Sequence, residues 1–347
     1  MPSSLPSCDI FCAVIDNLGD AGVCWRLARQ LAAEHGWRVR LFIDDPAPVA
    51  LLAPGQDVVE VRRWEGDLAD VAPADVVVEA FACAPPPAYV AAMRGRARPP
   101  VWINLEYLSA EDWVAGCHGL PSPQAGLAKH FFFPGFVAGT GGLLREKNPA
   151  VPPGLTFDGP LAISLFCYAN PALPALLAAW RDGDRDIDCH VAEGLPRRQV
   201  EAWLGEPFPA GAAAARGRLT LHALPFLPQT DYDALLGRCH LNFVRGEDSF
   251  VRAQWAERPF VWQIYPQAGD AHCAKLDAFL KLYEKVSPGG TAARAFFHAW
   301  NGAGALDWPA FAAVLPALAA HAPGWARQIA LPGDLAGNLV RFCSERL

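Results

Sequence analysis

The sequence predicts an α/β protein built from two doubly wound, Rossmann-like domains. Three observations predict it. An apolar strand, an amphipathic helix and another strand follow one another in two separate series, one in each half of the chain. A polar, proline-rich stretch, Lys147-Asn-Pro-Ala-Val-Pro-Pro-Gly154, separates the series and reads as a linker. The 347 residues also exceed the roughly 250–300 that a single core usually serves. The expected boundaries are 1–150 and 155–329, with a helix over 330–347 packing back on the first domain.

In the first domain, Asp9-Ile-Phe-Cys-Ala-Val-Ile15 is nearly all apolar, which suits a strand buried on both faces of a parallel sheet. The polar turn Asp16-Asn-Leu-Gly-Asp20 follows. Val23, Leu27, Ala28 and Leu31 then recur at helical spacing, and Gly36 signals a C-cap. A strand over 38–43 completes a βαβ unit. Ligands of such sheets bind beyond the carboxyl ends of the strands, where Asp16, Asn17, Gly19 and Asp20 lie. Two carboxylates around a glycine turn can act as a base and its orienting partner; equally, they can cap the turn and the helix after it. Gly19 and Gly22 alone do not make the dinucleotide fingerprint, which counts against an NAD enzyme. Further strands are expected over 58–61, 75–79 and 101–105, with a loop over 81–87 and a helix starting at Ser109. Phe131-Phe-Phe-Pro-Gly-Phe136 reads as a rigid aromatic loop. Gly139-Thr-Gly-Gly142 lacks the Lys-Ser/Thr pair of a Walker motif.

The second domain repeats the alternation. Strands are expected over 161–166, 187–192, 219–224, 241–244 and 260–264, helices over 174–180, 232–236 and 271–283, and an exit loop over 225–231. Around residue 246 a short buried strand meets a helix through a turn that Gly246 loosens, with Ser249 as the N-cap. A strand feeding a helix N-terminus gathers backbone N–H groups and the positive end of the helix dipole, and phosphate is the usual anion there. Glu247 and Asp248 are either an acidic first turn that suits the dipole or carboxylates that bind sugar hydroxyls. The strand exits hold Phe166, Tyr168, Phe226, Gln229, Arg245, Ser249 and Tyr265. Aromatic rings can stack on a base or sugar, and Gln229 can bond a pyrimidine edge. Beyond residue 284 the chain is mostly helical and alanine-rich, with Trp300, Trp308 and Trp325 as core.

Composition bounds the function. Hydrophobic residues make up 52% and charged residues 19%, which fits a globular protein with two cores. The net charge of −7 argues against general nucleic-acid binding and allows a basic protein partner. The ten cysteines are scattered without CxxC or zinc-site spacing, so they read as reduced, mostly buried thiols. Cys117-His118 reads as structural. Without an apolar run of membrane length or a secretory pattern, a cytoplasmic location with no membrane contact is expected.

Four blocks go beyond pattern. They are Asp16-Asn-Leu-Gly-Asp-Ala-Gly-Val-Cys-Trp-Arg-Leu-Ala-Arg-Gln-Leu31, Trp102-Ile-Asn-Leu-Glu-Tyr-Leu-Ser-Ala-Glu-Asp-Trp113, Phe131-Phe-Phe-Pro-Gly-Phe136 and Asn242-Phe-Val-Arg-Gly-Glu-Asp-Ser-Phe-Val-Arg-Ala-Gln-Trp255, with Trp262-Gln-Ile-Tyr-Pro-Gln267 as a shorter addition. Through them the chain resembles the EarP family, the arginine rhamnosyltransferases that modify translation elongation factor P. The stretch 206–216 and the tail after Tyr283 match no family motif.

The resemblance implies a GT-B glycosyltransferase with two Rossmann-like domains facing a central cleft. It implies TDP-β-L-rhamnose as donor, inversion at the anomeric carbon, one arginine of elongation factor P as acceptor, and no cofactor or metal. It implies Asp20 as general base, Asp16 as a second essential carboxylate, Phe226 stacking on thymine and Gln229 touching the base. Phe166 and Tyr168 become further donor-pocket aromatics, and Arg245, Glu247, Asp248, Ser249 and Tyr265 surround the sugar and diphosphate. Asn17 and Gly19 count among the donor contacts, and Glu247 among the catalytic residues. The chemistry agrees, because an ionised guanidinium is a poor nucleophile and needs a carboxylate to hold it and take its proton. The alternatives are a GT-B enzyme using another sugar nucleotide or acceptor, and a non-catalytic protein that binds a nucleotide or a translation factor.

Overall fold

The computed structural model describes residues 5–16, 18–147, 154–266, 271–284 and 288–347. In chain order the elements begin with β1 (Ser7–Cys12), α1 (Gly19–His35), β2 (Arg38–Ile43), α2 (Ala47–Leu52), β3 (Glu60–Arg63), β4 (Val76–Ala80), α3 (Pro87–Gly95), β5 (Val101–Leu105), α4 (Val114–Cys117), β6 (Pro121–Gln124) and β7 (Leu127–Phe132). They continue with β8 (Leu161–Leu165), α5 (Leu173–Asp182), β9 (Ile187–Val191), α6 (Leu195–Leu204), β10 (Ala213–Arg216), β11 (Leu219–Ala223), α7 (Gln229–Arg238), β12 (Leu241–Arg245), α8 (Asp248–Trp255) and β13 (Phe260–Gln263). The helices α9 (Ala271–Glu284), α10 (Gly290–Trp300), α11 (Trp308–Ile329) and α12 (Leu335–Ser344) close the chain. Two compact units result: Met1–Pro149 with Ile329–Leu347, and Ala150–Gln328.

The first unit holds a sheet ordered β3-β2-β1-β4-β5-β7-β6 among the described residues, parallel except where β6 pairs with β7. Its central strands are apolar because both faces are covered. The exceptions are charges with partners. Asp9, fully buried in β1, accepts two bonds from the Arg40 guanidinium, at 2.6 and 2.7 Å, and others from the Ala74 N–H and the Tyr89 hydroxyl. Glu79 in β4 meets Lys129 of β7 at 2.5 Å, and that ammonium lies over the Trp102 ring. A buried charge persists only where such partners replace water.

The chain end completes this unit. The Asp334 carboxylate caps α12 by accepting the Gly337 N–H, the Leu335 N–H bonds the Leu143 carbonyl, and the Asn338 amide donates to the Gly141 carbonyl. The glycine-rich stretch serves this packing. A Cβ on Gly142 would sit 2.3 Å from the Gly333 oxygen, so only glycine allows the two backbones to approach.

In the second unit the sheet order is β10-β11-β9-β8-β12-β13 among the described residues, with β10 antiparallel to β11 and the rest parallel. Trp180, Trp300, Trp308, Phe311 and Leu315 pack with Ile163, Leu165, Cys189, Leu221 and Phe243 in one core. Trp325 is buried among Phe279 and Tyr283, and its indole N–H bonds Gln254. The tryptophans of the tail are therefore core, as expected. None of the ten cysteines forms a disulfide; Cys83, Cys117 and Cys273 are half-buried and the others buried.

Several local expectations are corrected. The first strand ends at Cys12 rather than residue 15, and β3 lies at Glu60–Arg63 rather than 58–61. Ser109 starts no helix. Its hydroxyl accepts the Glu111 N–H in a tight turn, and the four-residue α4 forms only at Val114. Phe131 and Phe132 belong to β7 rather than to a loop, because β6 folds back on β7 as a hairpin. Strand β10 lies in the stretch that matched no motif. Gln229 opens α7 instead of lying in an exit loop. The expected linker lies almost wholly outside the described residues. His118 is structural, as read: its Nδ1 accepts the Phe133 N–H.

Candidate active site

In the first unit the candidate residues lie in the turn between β1 and α1, at the carboxyl end of its sheet. Asp20 is in the first turn of α1 and only 4% exposed. Its Oδ2 accepts the backbone N–H of Ile15 at 2.9 Å and of Asp16 at 2.8 Å. One carboxylate oxygen thus staples the loop to the helix, while Oδ1 takes no bond among the described residues. The Asp16 carbonyl accepts the Gly19 N–H at 2.7 Å, and a Cβ on Gly19 would lie 2.9 Å from the Asp16 carboxylate. Glycine at 19 therefore lets the Asp16 side chain fold over the start of the helix beside Asp20. Asn17 lies outside the described residues. Among the described residues the α1 N-terminus, with Leu18 at the cap, has no side-chain cap bond.

In the second unit the candidate residues lie at the exits of β8, β11, β12 and β13. Parallel pairing of β12 with β8 and with β13 places those three ends side by side, with β9 between them and β11. Gly246 turns the chain after β12 with φ of 57°, the left-handed region that glycine enters without steric cost. Its carbonyl accepts the Trp262 indole N–H at 2.7 Å. Ser249 does not cap the helix. It sits inside α8, while Glu247 holds the cap position in helical conformation. The Ser249 hydroxyl instead accepts the Arg245 N–H at 3.0 Å and donates to the Arg245 carbonyl at 2.6 Å. The serine stands two residues past the cap position, so it ties off the strand end instead.

That tie aims the Arg245 side chain. Its guanidinium carbon lies 4.4 Å from the Phe166 ring centroid and 4.5 Å from that of Tyr168. Among the described residues no carboxylate pairs with it. Phe166 meets Tyr232 edge-on at 5.6 Å, and Tyr168 meets Tyr265 edge-on at 5.5 Å. The Tyr168 N–H donates to the Gln263 side chain at 2.9 Å. Gln229 is buried and donates to the Asp248 carboxylate at 3.2 Å. Glu247, Asp248 and Phe226 are half-buried, and Tyr265 is 41% exposed. In the second unit Phe166, Tyr168, Arg245, Ser249 and Tyr265 thus form one set of contacts, and Gln229 and Asp248 pair at the starts of α7 and α8. Phe226 stands in the loop before α7 and makes no ring contact among the described residues.

Sequence reasoning missed Tyr232. Its hydroxyl is buried without a hydrogen-bond partner among the described residues, and burial pushes it well above the usual phenol range. The available signal was its position one helical turn after Gln229.

Among the described residues no helix is long and apolar enough to cross a membrane. The sequence matches the family described as Elongation-Factor P (EF-P) rhamnosyltransferase EarP over residues 8–151 and 155–344. It is 49% identical to a protein-arginine rhamnosyltransferase of Pseudomonas putida, covering 98% of this chain and 99% of that one. It is 47% identical to a protein of the same name from Pseudomonas aeruginosa, covering 99% and 100%. A solved structure described as "Structural basis for EarP-mediated arginine glycosylation of translation elongation factor EF-P" superposes with a TM-score of 0.69 at 35% identity, covering 99% of this chain and 100% of that one. Two mainly parallel sheets with these relatives place the fold in the GT-B glycosyltransferase class. The chain belongs to the EarP family and is a protein-arginine rhamnosyltransferase.

Proposed function

We propose that this enzyme moves rhamnose from TDP-β-L-rhamnose to a guanidino nitrogen of one arginine of translation elongation factor P, with inversion. The observation that carries the donor side is Arg245. It is a cation without a carboxylate partner among the described residues, held at the carboxyl end of β12 beside the N-terminus of α8. An uncompensated guanidinium there suits a diphosphate. The family's description and the words attached to the solved relative support elongation factor P as acceptor.

In this reading the reaction is a single displacement. The guanidino nitrogen bonds the anomeric carbon as the bond from that carbon to the diphosphate oxygen breaks. The proton leaving nitrogen goes to the Asp20 carboxylate, which two backbone N–H groups hold in place. One displacement inverts the anomeric carbon. Arg245 and the helix end carry the charge that develops on the departing diphosphate, so no metal is assigned to that task. Phe226 stacks on thymine, Gln229 bonds the base edge, and Glu247 binds sugar hydroxyls. Asp16 supports Asp20, and Asn17 and Gly19 border the sugar. The site is cytoplasmic, where translation factors work.

Ligand-dependent thermal unfolding tests the donor assignment. TDP is expected to raise the melting temperature more than UDP, and Arg245→Ala to remove most of that gain. Equal shifts from TDP and UDP contradict the thymine assignment. A TDP shift unaffected by Arg245→Ala contradicts the diphosphate site.

A further inference from the structure

We propose that Phe166 and Tyr168 are positioning residues that clamp Arg245, rather than surfaces on which the nucleobase or sugar stacks. This rests on the reading that Arg245 meets the donor diphosphate.

The rings face a different partner from the one their chemistry suggests in isolation. With the Arg245 guanidinium carbon 4.4 Å from one centroid and 4.5 Å from the other, the side chain occupies one face of each ring, in the place where a base would stack. Neither ring is free to swing away. Phe166 is braced edge-on by Tyr232, and its N–H bonds the Phe243 carbonyl on the neighbouring strand. Tyr168 is buried, braced edge-on by Tyr265, and tied through its N–H to Gln263. Arg245 is fixed at its own backbone by both bonds of Ser249.

The electrostatic consequence separates this arrangement from a salt bridge. A carboxylate would orient the guanidinium and cancel its charge. Aromatic faces attract the cation through their quadrupoles and bring no opposing net charge. The guanidinium has no hydrogen-bond acceptor among the described residues, so its N–H groups remain available to phosphate oxygens. The two rings therefore hold the cation in one place before the donor arrives, which limits the side-chain entropy lost on binding.

Calorimetric titration with TDP and with thymidine, each on the full chain, tests the clamp. Tyr168→Leu and Phe166→Leu are each expected to weaken TDP binding roughly two- to thirtyfold, the range of one desolvated cation–π contact. Thymidine affinity should not change, Tyr168→Phe should keep the TDP affinity, and neither leucine variant should weaken TDP further when Arg245→Ala is already present. Equal losses for TDP and thymidine, or undiminished losses on top of Arg245→Ala, overturn the clamp and restore stacking on the nucleoside. An Arg245→Ala variant that binds TDP like the wild type overturns the diphosphate assignment and the clamp with it. A second measurement needs no variant of either ring. The Arg245 Hε resonance of the free protein, assigned by its loss in Arg245→Lys, should show an upfield ring-current shift. A resonance at the ordinary arginine position overturns the clamp.

Discussion

At the scale of single residues, the Asp16-to-Asp20 turn shows how one carboxylate serves two ends. Capping and catalysis looked like alternatives in the sequence. The structure shows the capping of the turn, not of the helix: Asp20 Oδ2 takes the backbone N–H groups of Ile15 and Asp16. It also leaves the other oxygen without a protein bond among the described residues, so holding the loop orients the proposed base. The aromatics divide in a similar way. Phe166 and Tyr168 are turned to Arg245, which leaves Phe226 as the proposed base-stacking ring. Phe226→Ala should weaken TDP and thymidine binding alike by about 1–3 kcal/mol, the usual scale for base–aromatic stacking. Unchanged dissociation constants would make Phe226 a packing residue. The positions of these side chains at strand exits were legible in the sequence. Their orientation was not, because it arises from pairing between β8 and β12, which are far apart in the chain.

At the scale of elements, the β12–α8 turn is the unit on which the proposed donor site depends. Gly246 lies in the left-handed region, so Gly246→Ala should cost about 1–2 kcal/mol in stability. It should also weaken TDP binding, because the turn sets where Arg245 and the start of α8 stand. Melting temperature and TDP affinity measured on one preparation check both, and an unchanged pair would show that the turn tolerates a side chain. The long apolar strands were legible because a strand buried on both faces needs an unbroken apolar run. The edge strands were not. Pro121-Ser-Pro-Gln124 is polar and carries two prolines, and β10 consists of three alanines and an arginine, so neither shows β propensity. Ser249 misled for a related reason: its hydroxyl has two possible local partners, and only the three-dimensional turn selects Arg245.

At the scale of the whole molecule, the chain end is part of the first unit. Leu335, Ala336, Leu339 and Cys343 of α12 are at most 1% exposed. Each large apolar side chain returned to water costs about 1.5–3 kcal/mol, a sizeable share of a typical stability of about 5–15 kcal/mol. Deleting residues 335–347 should therefore abolish the cooperative unfolding of the first unit or leave the protein insoluble. A deletion variant that melts like the full chain would contradict this placement of α12. The two-domain class was legible from the repeated alternation alone. The reaction was legible only through the family blocks, since composition and periodicity do not distinguish one nucleotide-binding α/β protein from another.

The central claim is tested most directly by the intact mass of unmodified elongation factor P after incubation with this enzyme and TDP-β-L-rhamnose. Controls omit the donor or replace the enzyme with Asp20→Asn, whose TDP affinity should remain close to wild type. The account predicts a gain of one deoxyhexose on a single arginine, absent from both controls. No gain with the wild-type enzyme, or an equal gain with Asp20→Asn, would contradict it.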